Sequence, residues 1–128
     1  MKTLTIQEPW ATLIINDIKK YEFRSWKTNY RGKILIHAGL TTNKLEKERL
    51  RVKETNNGYI LGTVEIVECL KIDNNLKNKL LQENKELYKN AKVNEYAWVL
   101  KNPIKISPIK VKGKLGLWTY EMNNDKII

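Results

Sequence analysis

The chain has 128 residues, of which 41% are hydrophobic and four are tryptophan, so it is long enough for one core and too short for two. It has one cysteine and one histidine, which argues against a disulfide and against a zinc site, so we expect no metal and no cofactor. Apolar runs fall short of the ~20 residues of a membrane span, and the first residues lack the apolar stretch of a signal peptide. We therefore expect a cytoplasmic protein with no membrane partner.

The formal net charge of +10 is concentrated in two segments. Residues 19–33 contain six basic side chains against one acidic one, and residues 101–114 contain five basic side chains and no acidic one. The rest of the chain balances at 13 basic against 13 acidic residues. A coding bias towards lysine would spread the charge evenly, so the clustering favours a polyanionic partner.

The first part of the chain is predicted to contain three strands and one helix. Residues 4–6 form a short strand, and apolar residues then recur at intervals of three and four over residues 8–18, which predicts a helix with Pro9 in its first turn. A basic strand over residues 19–26 and a turn lead into a strand over residues 33–38.

The second part is predicted to contain two polar helices and further strands. A helix begins at Thr41 or Thr42 and ends near Thr55, and Asp73 begins another that runs to residue 89. Strands are predicted over residues 59–72, 96–100, 109–111 and 117–120. This order lacks βαβ alternation, so the predicted fold is α+β, with two to three helices beside a small closed β-barrel of about five to six strands.

The most informative stretch is KKYEFRSW, from Lys19 to Trp26. At the two-residue period of a strand, Glu22, Arg24 and Trp26 share one face, while Tyr21 and Phe23 share the other. We predict that the aromatic face is buried and that the charged face meets solvent or a ligand. The alternative is a solvated Glu22–Arg24 pair with Trp26 packed at the rim of the barrel.

The flanking segments LTIQEPWATLI and TNYRGKILIHA complete a pattern that resembles the ASCH (activating signal cointegrator homology) domain of the PUA-like superfamily. Three later segments agree with it in order: GYILGTVEIVEC, WVLKNPIKISPIKVKG and GLW. The resemblance covers nearly the whole chain. It implies a PUA-like barrel forming a single domain over residues 1–122, with residues 123–128 as a C-terminal tail.

The family pattern G-x-K-x-x-E-x-R-x-W is matched at Lys19, Glu22, Arg24 and Trp26, with Asp17 in the place of the usual glycine. In ASCH domains this pattern lines a cleft beside the barrel, and the preceding helix forms one wall. Aspartate tolerates a positive φ better than most residues other than glycine, so we expect the turn to be kept.

These residue types suit a nucleotide ligand. Arg24 offers a planar donor fork to a phosphate or a base edge, Lys19 offers a point charge, and Glu22 can hold Arg24 or accept from the exocyclic amino group of a base. Trp26 or Tyr30 can stack on an unpaired base, so single-stranded or looped RNA fits best, with DNA as a second possibility. The residues predicted to bind nucleic acid are Lys19, Lys20, Glu22, Arg24, Trp26, Lys27, Tyr30, Arg31, Lys110, Lys112 and Lys114.

Two other classes of function remain open. One is a small hydrolase of the amidohydrolase or ribonuclease type, acting on an acylated nucleoside or on RNA, with Lys19 and Glu22 as catalytic candidates. The resemblance implies a threonine nucleophile where this chain has Glu22, which removes the hydroxyl, although a carboxylate can act as a general base. The other is a protein-interaction domain of a larger regulatory assembly.

Several single residues have a structural interpretation. Trp10 and Trp118 are predicted to pack in the core, Cys69 to be a buried thiol, and His37 to be a buried, hydrogen-bonded histidine more often than a catalytic base. The aromatic rings of Trp26 and Tyr30 fit packing as well as stacking. Glu65 and Glu68 are weaker candidates for lining the cleft.

Overall fold

The computed structural model describes residues 1–121, and the predicted tail at residues 123–128 lies outside them. Its nine elements follow the chain in this order: β1 Lys2–Glu8, α1 Trp10–Ile15, β2 Tyr21–Arg24, β3 Gly32–Thr42, α2 Lys44–Arg49, β4 Tyr59–Lys71, α3 Asn74–Tyr88, β5 Tyr96–Lys110 and β6 Leu117–Thr119.

The six strands form one mixed sheet in the order β2-β5-β4-β3-β1-β6, in which only β1 and β3 are parallel. The α+β class and the expected numbers of strands and helices are confirmed. Backbone pairing among residues 1–121 is linear and leaves β2 and β6 at the edges, so it does not close the sheet into the predicted barrel. The edge strand β2 instead reaches β1 through the side chain of Arg24, whose Nη2 donates to the carbonyl oxygen of Thr5 over 2.9 Å.

The core consists of two apolar clusters. In the larger one, α1 and the inner faces of β1, β3 and β4 meet, with Leu4, Ile34 and Ile36 inaccessible to solvent. In the smaller one, Leu80 and Leu87 of α3 pack near β2. Burying a side chain of this size stabilises the fold by about 1.5–3 kcal/mol. Trp10 is half-buried and contacts both clusters, so the predicted core role describes only part of its surface.

Both early helices are shorter than predicted, because each ends in a residue with a left-handed backbone. After α1, Asp17 has a φ of 61°, and after α2, Arg51 has a φ of 58°. The α2 helix begins after Asn43, whose side chain accepts from the backbone N–H of Glu46, and not after Thr41 or Thr42. In contrast, Asp73 begins α3 as predicted and accepts from the N–H of Leu76 over 2.8 Å.

The strands predicted over residues 96–100 and 109–111 are one 15-residue strand, β5. Pro103 and Pro108 lie inside it, in a part that pairs with β4 alone, since β2 pairs only with Tyr96 to Val99. Three register shifts between β4 and β5 absorb the extra residues. Prolines are tolerated here because this half of β5 has one open side.

Candidate functional site

The departure from the family pattern at Asp17 is absorbed by a helix-ending motif. The N–H of Asp17 donates to the carbonyl of Ile14, and the N–H of Ile18 donates to that of Leu13, which is the Schellman arrangement with Asp17 in the left-handed position. The expectation that aspartate adopts a positive φ at this site is confirmed. The turn places Lys19 two residues before the start of β2, with its side chain in the interior.

Lys19 is a buried ammonium group with few polar neighbours. Its Nζ donates to the carbonyl of Tyr21, lies 3.5 Å from Oε1 of Glu22, and sits 4.5 Å from the centroid of the Phe23 ring. The Trp10 ring lies on another side, at 5.7 Å. Loss of hydration lowers the pKa of Lys19, and the negative charge of Glu22 opposes that shift only in part.

Glu22 joins Lys19 to Arg24. The Nε of Arg24 donates to Oε2 of Glu22 over 2.9 Å, while its Nη2 lies 2.9 Å from the same oxygen and also donates to the carbonyl of Thr5. The prediction that Glu22 and Arg24 share a face and that Glu22 holds Arg24 is confirmed. The guanidinium is thus fixed at two points while 22% of the Arg24 side chain remains exposed.

The charged face of β2 does line a cleft, but the prediction that the aromatic face is the more buried of the two is wrong. Glu22 is only 7% exposed, whereas Tyr21 and Phe23 are half-buried. Both rings make edge contacts with Tyr88 of α3, which covers that face incompletely. Glu22 can be buried because two cations offset the loss of hydration of its carboxylate.

The three charged side chains line one cleft of about 780 Å³. Its walls come from β1, the first residue of α1, residues 19–26, the start of α2, the end of α3 and the segment that follows α3. The lining residues are Thr5, Gln7, Trp10, Lys19, Glu22, Phe23, Arg24, Ser25, Trp26, Asn43, Glu46, Leu87, Asn90, Lys92 and Glu95.

Trp26 lines the cleft but does not belong to the strand, which ends at Arg24. Its ring stands edge-on to that of Trp98, with centroids 4.8 Å apart, and its carbonyl accepts from Nε1 of Trp98 over 3.3 Å. The residue is still 36% exposed. Trp26 is therefore packed at the rim and open to the cleft at the same time.

Four of the predicted binding residues lie in the cleft lining, namely Lys19, Glu22, Arg24 and Trp26, and the others do not. Tyr30 is half-buried against the larger core cluster, and its hydroxyl donates to the carbonyl of Lys33. Lys27 is exposed outside the lining, and Arg31 pairs with Glu68 over 2.9 Å.

Lys20 points away from the cleft. Its Nζ donates to the carboxylate of Asp17 over 2.8 Å, and it lines a second groove of about 720 Å³ together with Lys101 and Lys105. We call this second feature the lysine groove. Lys19 thus lines the cleft, whereas Lys20, the next residue, lines the lysine groove.

Lys110, Lys112 and Lys114 are exposed and lie outside both lining sets. Lys110 ends β5, while Lys112 and Lys114 belong to the loop between β5 and β6. None of the three forms an ion pair with another residue in the range 1–121. Their positive charge is therefore available to a partner.

The structural interpretations of His37, Cys69 and Trp118 are confirmed. His37 is 1% exposed, with its Nδ1 3.1 Å from Oγ1 of Thr5 and its Nε2 2.7 Å from the carbonyl of Val111. Cys69 is a buried free thiol, and the indole Nε1 of Trp118 donates to Oγ1 of Thr5.

Glu65 and Glu68 do not line the cleft. Glu68 faces outwards beside Arg31, and the pKa of its carboxyl is lowered, first by the backbone N–H of Cys69 and then by Arg31. Bulges in the β4–β5 pairing shift the alternation of faces along β4, which explains why a simple two-residue period misplaces Glu68.

Sequence reasoning missed the polar residues that complete the cleft. Gln7 is contributed by β1, Asn43 and Glu46 by the start of α2, and Asn90 and Glu95 by the segment after α3. They are distant in sequence from residues 19–26, and no local pattern marks them as a group. These residues line the same cleft only because the fold brings their segments together.

The chain belongs to the ASCH domain family, whose sequence profile matches residues 4–110. It is 26% identical to "Activating signal cointegrator 1" of Mus musculus over 130 residues and of Homo sapiens over 132 residues, with 90% of this chain covered in each case. The chain spans only about a fifth of the length of these relatives, 21% in both.

Crystal structures of an ASCH protein from Zymomonas mobilis share the fold. The match to one of them has a TM-score of 0.56 at 16% identity and covers 86% of this chain and 73% of the other. Two structures of single-residue mutants of that protein give TM-scores of 0.55 and 0.54. Similarity at this level of identity establishes the fold alone.

Within residues 1–121, no helix has the length and apolar character needed to cross a membrane. In the same part of the chain, no three histidine, cysteine, aspartate or glutamate side chains gather as metal ligands would.

Proposed function

We propose that this ASCH domain binds single-stranded or looped RNA and holds one nucleotide in the cleft. The observation that carries the proposal is the position of Arg24, which is fixed by Glu22 and by the carbonyl of Thr5 at the wall of a cleft large enough for a nucleotide. A guanidinium fixed in this way loses little conformational freedom when it binds a phosphate or a base edge. We further propose that the protein is cytoplasmic and that residues 1–122 form the RNA-binding domain.

The donors of Arg24 are not exhausted by its protein partners. Nε and Nη2 bond to Glu22 and Thr5, and Nη1 makes no hydrogen bond to another residue in the range 1–121. A phosphate oxygen or a base acceptor entering the cleft can take these remaining N–H groups. The exposed indole of Trp26 supplies a surface on which the base can stack.

The charge outside the cleft supports a polyanion over a small neutral ligand. The exposed lysines of residues 101–114 are available to phosphates on either side of the bound nucleotide. Such contacts add affinity without sequence preference and are sensitive to salt. RNA is favoured over DNA because unpaired, accessible bases occur in its loops.

Fluorescence anisotropy with a short single-stranded RNA tests the role of Arg24. Arg24→Ala should weaken binding by about 5- to 150-fold, corresponding to ~1–3 kcal/mol, and Arg24→Lys should restore little of it because lysine lacks the planar fork. The matched control is Arg51→Ala, which removes the same charge from an exposed position outside the cleft. Equal affinities of the Arg24 and Arg51 variants would contradict the proposal. A DNA oligonucleotide of the same sequence, measured in parallel, separates RNA from DNA preference.

A hydrolase acting on an acylated nucleoside or on RNA is the second candidate, and the state of Lys19 favours it. The lowered pKa of a buried lysine beside a carboxylate and a cleft is a feature of catalytic as well as binding sites. Glu22→Gln cannot separate the two candidates, because Glu22 also holds Lys19 and Arg24. The criterion is turnover: prolonged incubation of the wild type with RNA and with an N-acylated nucleoside should leave both unchanged if the domain only binds. Catalytic turnover that is lost in Lys19→Met would favour the hydrolase.

A further inference from the structure

A chain of hydrogen bonds ties the β5–β6 loop to β1. The carbonyl of Val111 can only accept, so Nε2 of His37 carries the proton and donates to it over 2.7 Å. In the neutral imidazole Nδ1 is then the acceptor, and it receives the hydroxyl proton of Thr5 over 3.1 Å. Nε1 of Trp118 donates to the same hydroxyl oxygen over 3.0 Å. Thr5 therefore links the two ends of the loop through one hydroxyl group.

The loop also lies very close to this chain of bonds. A Cβ atom placed on Gly113 would lie 2.7 Å from Oγ1 of Thr5 and 2.7 Å from Cε1 of His37. Those separations are too short for a side chain, so only glycine permits this approach. Lys112 and Lys114 flank Gly113 and are exposed.

The residue that anchors the loop is the residue that anchors Arg24. The hydroxyl of Thr5 serves His37 and Trp118, while its carbonyl accepts from Nη2 of Arg24. Thr5 also lines the cleft. Arg24 thus contacts Thr5 at its carbonyl, and the backbone of Gly113 lies beside the Thr5 hydroxyl. The loop itself is not part of the cleft lining.

We propose that residues 111–115 form a preset phosphate subsite beside the cleft, in which Lys112 and Lys114 bind the phosphate next to the nucleotide held by Arg24. This inference rests on the proposed function. Thr5 acts as a positioning residue, because its hydroxyl fixes the loop without touching the RNA. Lysine side chains long enough to reach a neighbouring phosphate need a fixed backbone at their base, and the Thr5–His37 chain supplies it.

The test is the salt dependence of RNA affinity, measured by anisotropy over a range of potassium chloride concentrations. Each phosphate neutralised on a single strand contributes about 0.7 to the slope of log affinity against log salt, and Lys112 and Lys114 share one phosphate, so the double variant Lys112→Ala and Lys114→Ala should reduce the slope by about 0.7. Thr5→Val removes the hydroxyl and keeps the carbonyl used by Arg24. It should reduce the slope in the same direction and add little to the lysine double variant.

Thr3→Val is the matched control, since Thr3 lies on the same strand and its hydroxyl donates to the carbonyl of Met1 instead. Its slope should equal that of the wild type. A general loss of stability would lower the amount of folded protein without changing the slope, so the slope reports positioning and not folding.

Gly113→Ala tests the same idea without altering a hydrogen-bonding group. Its methyl group would displace the loop from Thr5 and His37 and should reduce the slope, whereas Gly39→Ala, with its nearest neighbour at 3.4 Å, should not. RNA binding by the wild type with unchanged slopes in Thr5→Val and Gly113→Ala would overturn the subsite and leave the cleft proposal standing. Failure of the wild type to bind RNA at all would overturn both.

Discussion

The charged cluster of Lys19, Glu22 and Arg24 in the cleft and the segment 101–114 both carry net positive charge. They differ in how far that charge is buried and paired. In the cleft, Lys19 is buried and Arg24 is mostly buried, and both are paired with Glu22. In residues 101–114 the lysines are exposed, and none pairs with an acid among residues 1–121. Paired charges at fixed positions orient a ligand but attract it weakly from a distance. Unpaired lysines attract an anionic ligand from a distance but orient it poorly.

The RNA binding that we propose would use both regions in different ways. Paired, immobile groups would select which nucleotide fits, and their contribution should depend weakly on salt because the pair is shielded from solvent. Free lysines attract any phosphate backbone, and their contribution should fall steeply as salt rises. The net charge of the chain is a sum over both regions. It therefore predicts neither the weak nor the steep salt dependence.

The largest expected effect is a loss of stability when the carboxylate of Glu22 is removed from the cleft. Glu22→Ala leaves the Lys19 ammonium buried without its counter-charge, and removal of one partner from a buried pair typically costs about 3–5 kcal/mol of unfolding free energy. Urea denaturation at pH 7 measures it. Glu68→Ala breaks an exposed, solvent-screened pair and should cost far less unfolding free energy. Similar losses in the two variants would show that the cleft charges are not held differently from surface charges.

Salt should separate the two regions next. If the RNA meets about four exposed lysines, its affinity should fall roughly 50-fold between 50 and 200 mM salt, because each contact to a single strand contributes about 0.7 to the slope. Replacing Lys110, Lys112 and Lys114 with glutamine should flatten this dependence, while Arg24→Ala should weaken binding at every salt concentration. An affinity that does not change with salt would rule out the exposed lysines as its source.

Trp26 should contribute a salt-independent share of the affinity. Trp26→Ala removes the stacking surface at the cleft rim and should weaken RNA binding by roughly 1–3 kcal/mol, whereas Trp26→Phe, which keeps an aromatic face, should lose much less. Anisotropy at two salt concentrations provides the measurement. If alanine and phenylalanine bind equally well, Trp26 serves only to pack against Trp98.

The smallest effect concerns the pH dependence of stability. The pKa of Lys19 in the folded protein lies below its ordinary value of 10.5, so the unfolded chain binds more protons between those two values. The sign follows: the folding cost of the buried ammonium is present in full below the folded pKa and is relieved as the pH rises towards 10.5.

Lys19→Met lacks this titration and serves as the reference. The wild type should gain stability relative to Lys19→Met in urea denaturation as the pH is raised from 7 to 9.5. That range avoids Tyr21 and Tyr88, whose pKa values burial raises above the ordinary 10.0. A difference that stays constant over the range would mean that Lys19 keeps an ordinary pKa.

The sequence predicts the strands, the Asp73 cap and the Glu22–Arg24 pair because each depends on neighbours within a few residues. The strand period places Glu22 and Arg24 together, and the family pattern supplies Lys19. The burial of Glu22 could not be predicted, because it depends on distant strands: Trp98 of β5 pairs with Glu22, and the carbonyl of Thr5 in β1 holds Arg24 beside it. The start of α2 is misplaced in the sequence prediction because Thr41 and Thr42 extend β3, so Asn43 becomes the cap.

The crystal structure of the wild type with a short single-stranded RNA tests the central claim most directly. We predict one nucleotide in the cleft, with a phosphate oxygen or base acceptor within hydrogen-bonding distance of Arg24, a base against Trp26, and neighbouring phosphates near the exposed lysines. RNA bound along the lysine groove formed by Lys20, Lys101 and Lys105, with no nucleotide in the cleft, would contradict the account.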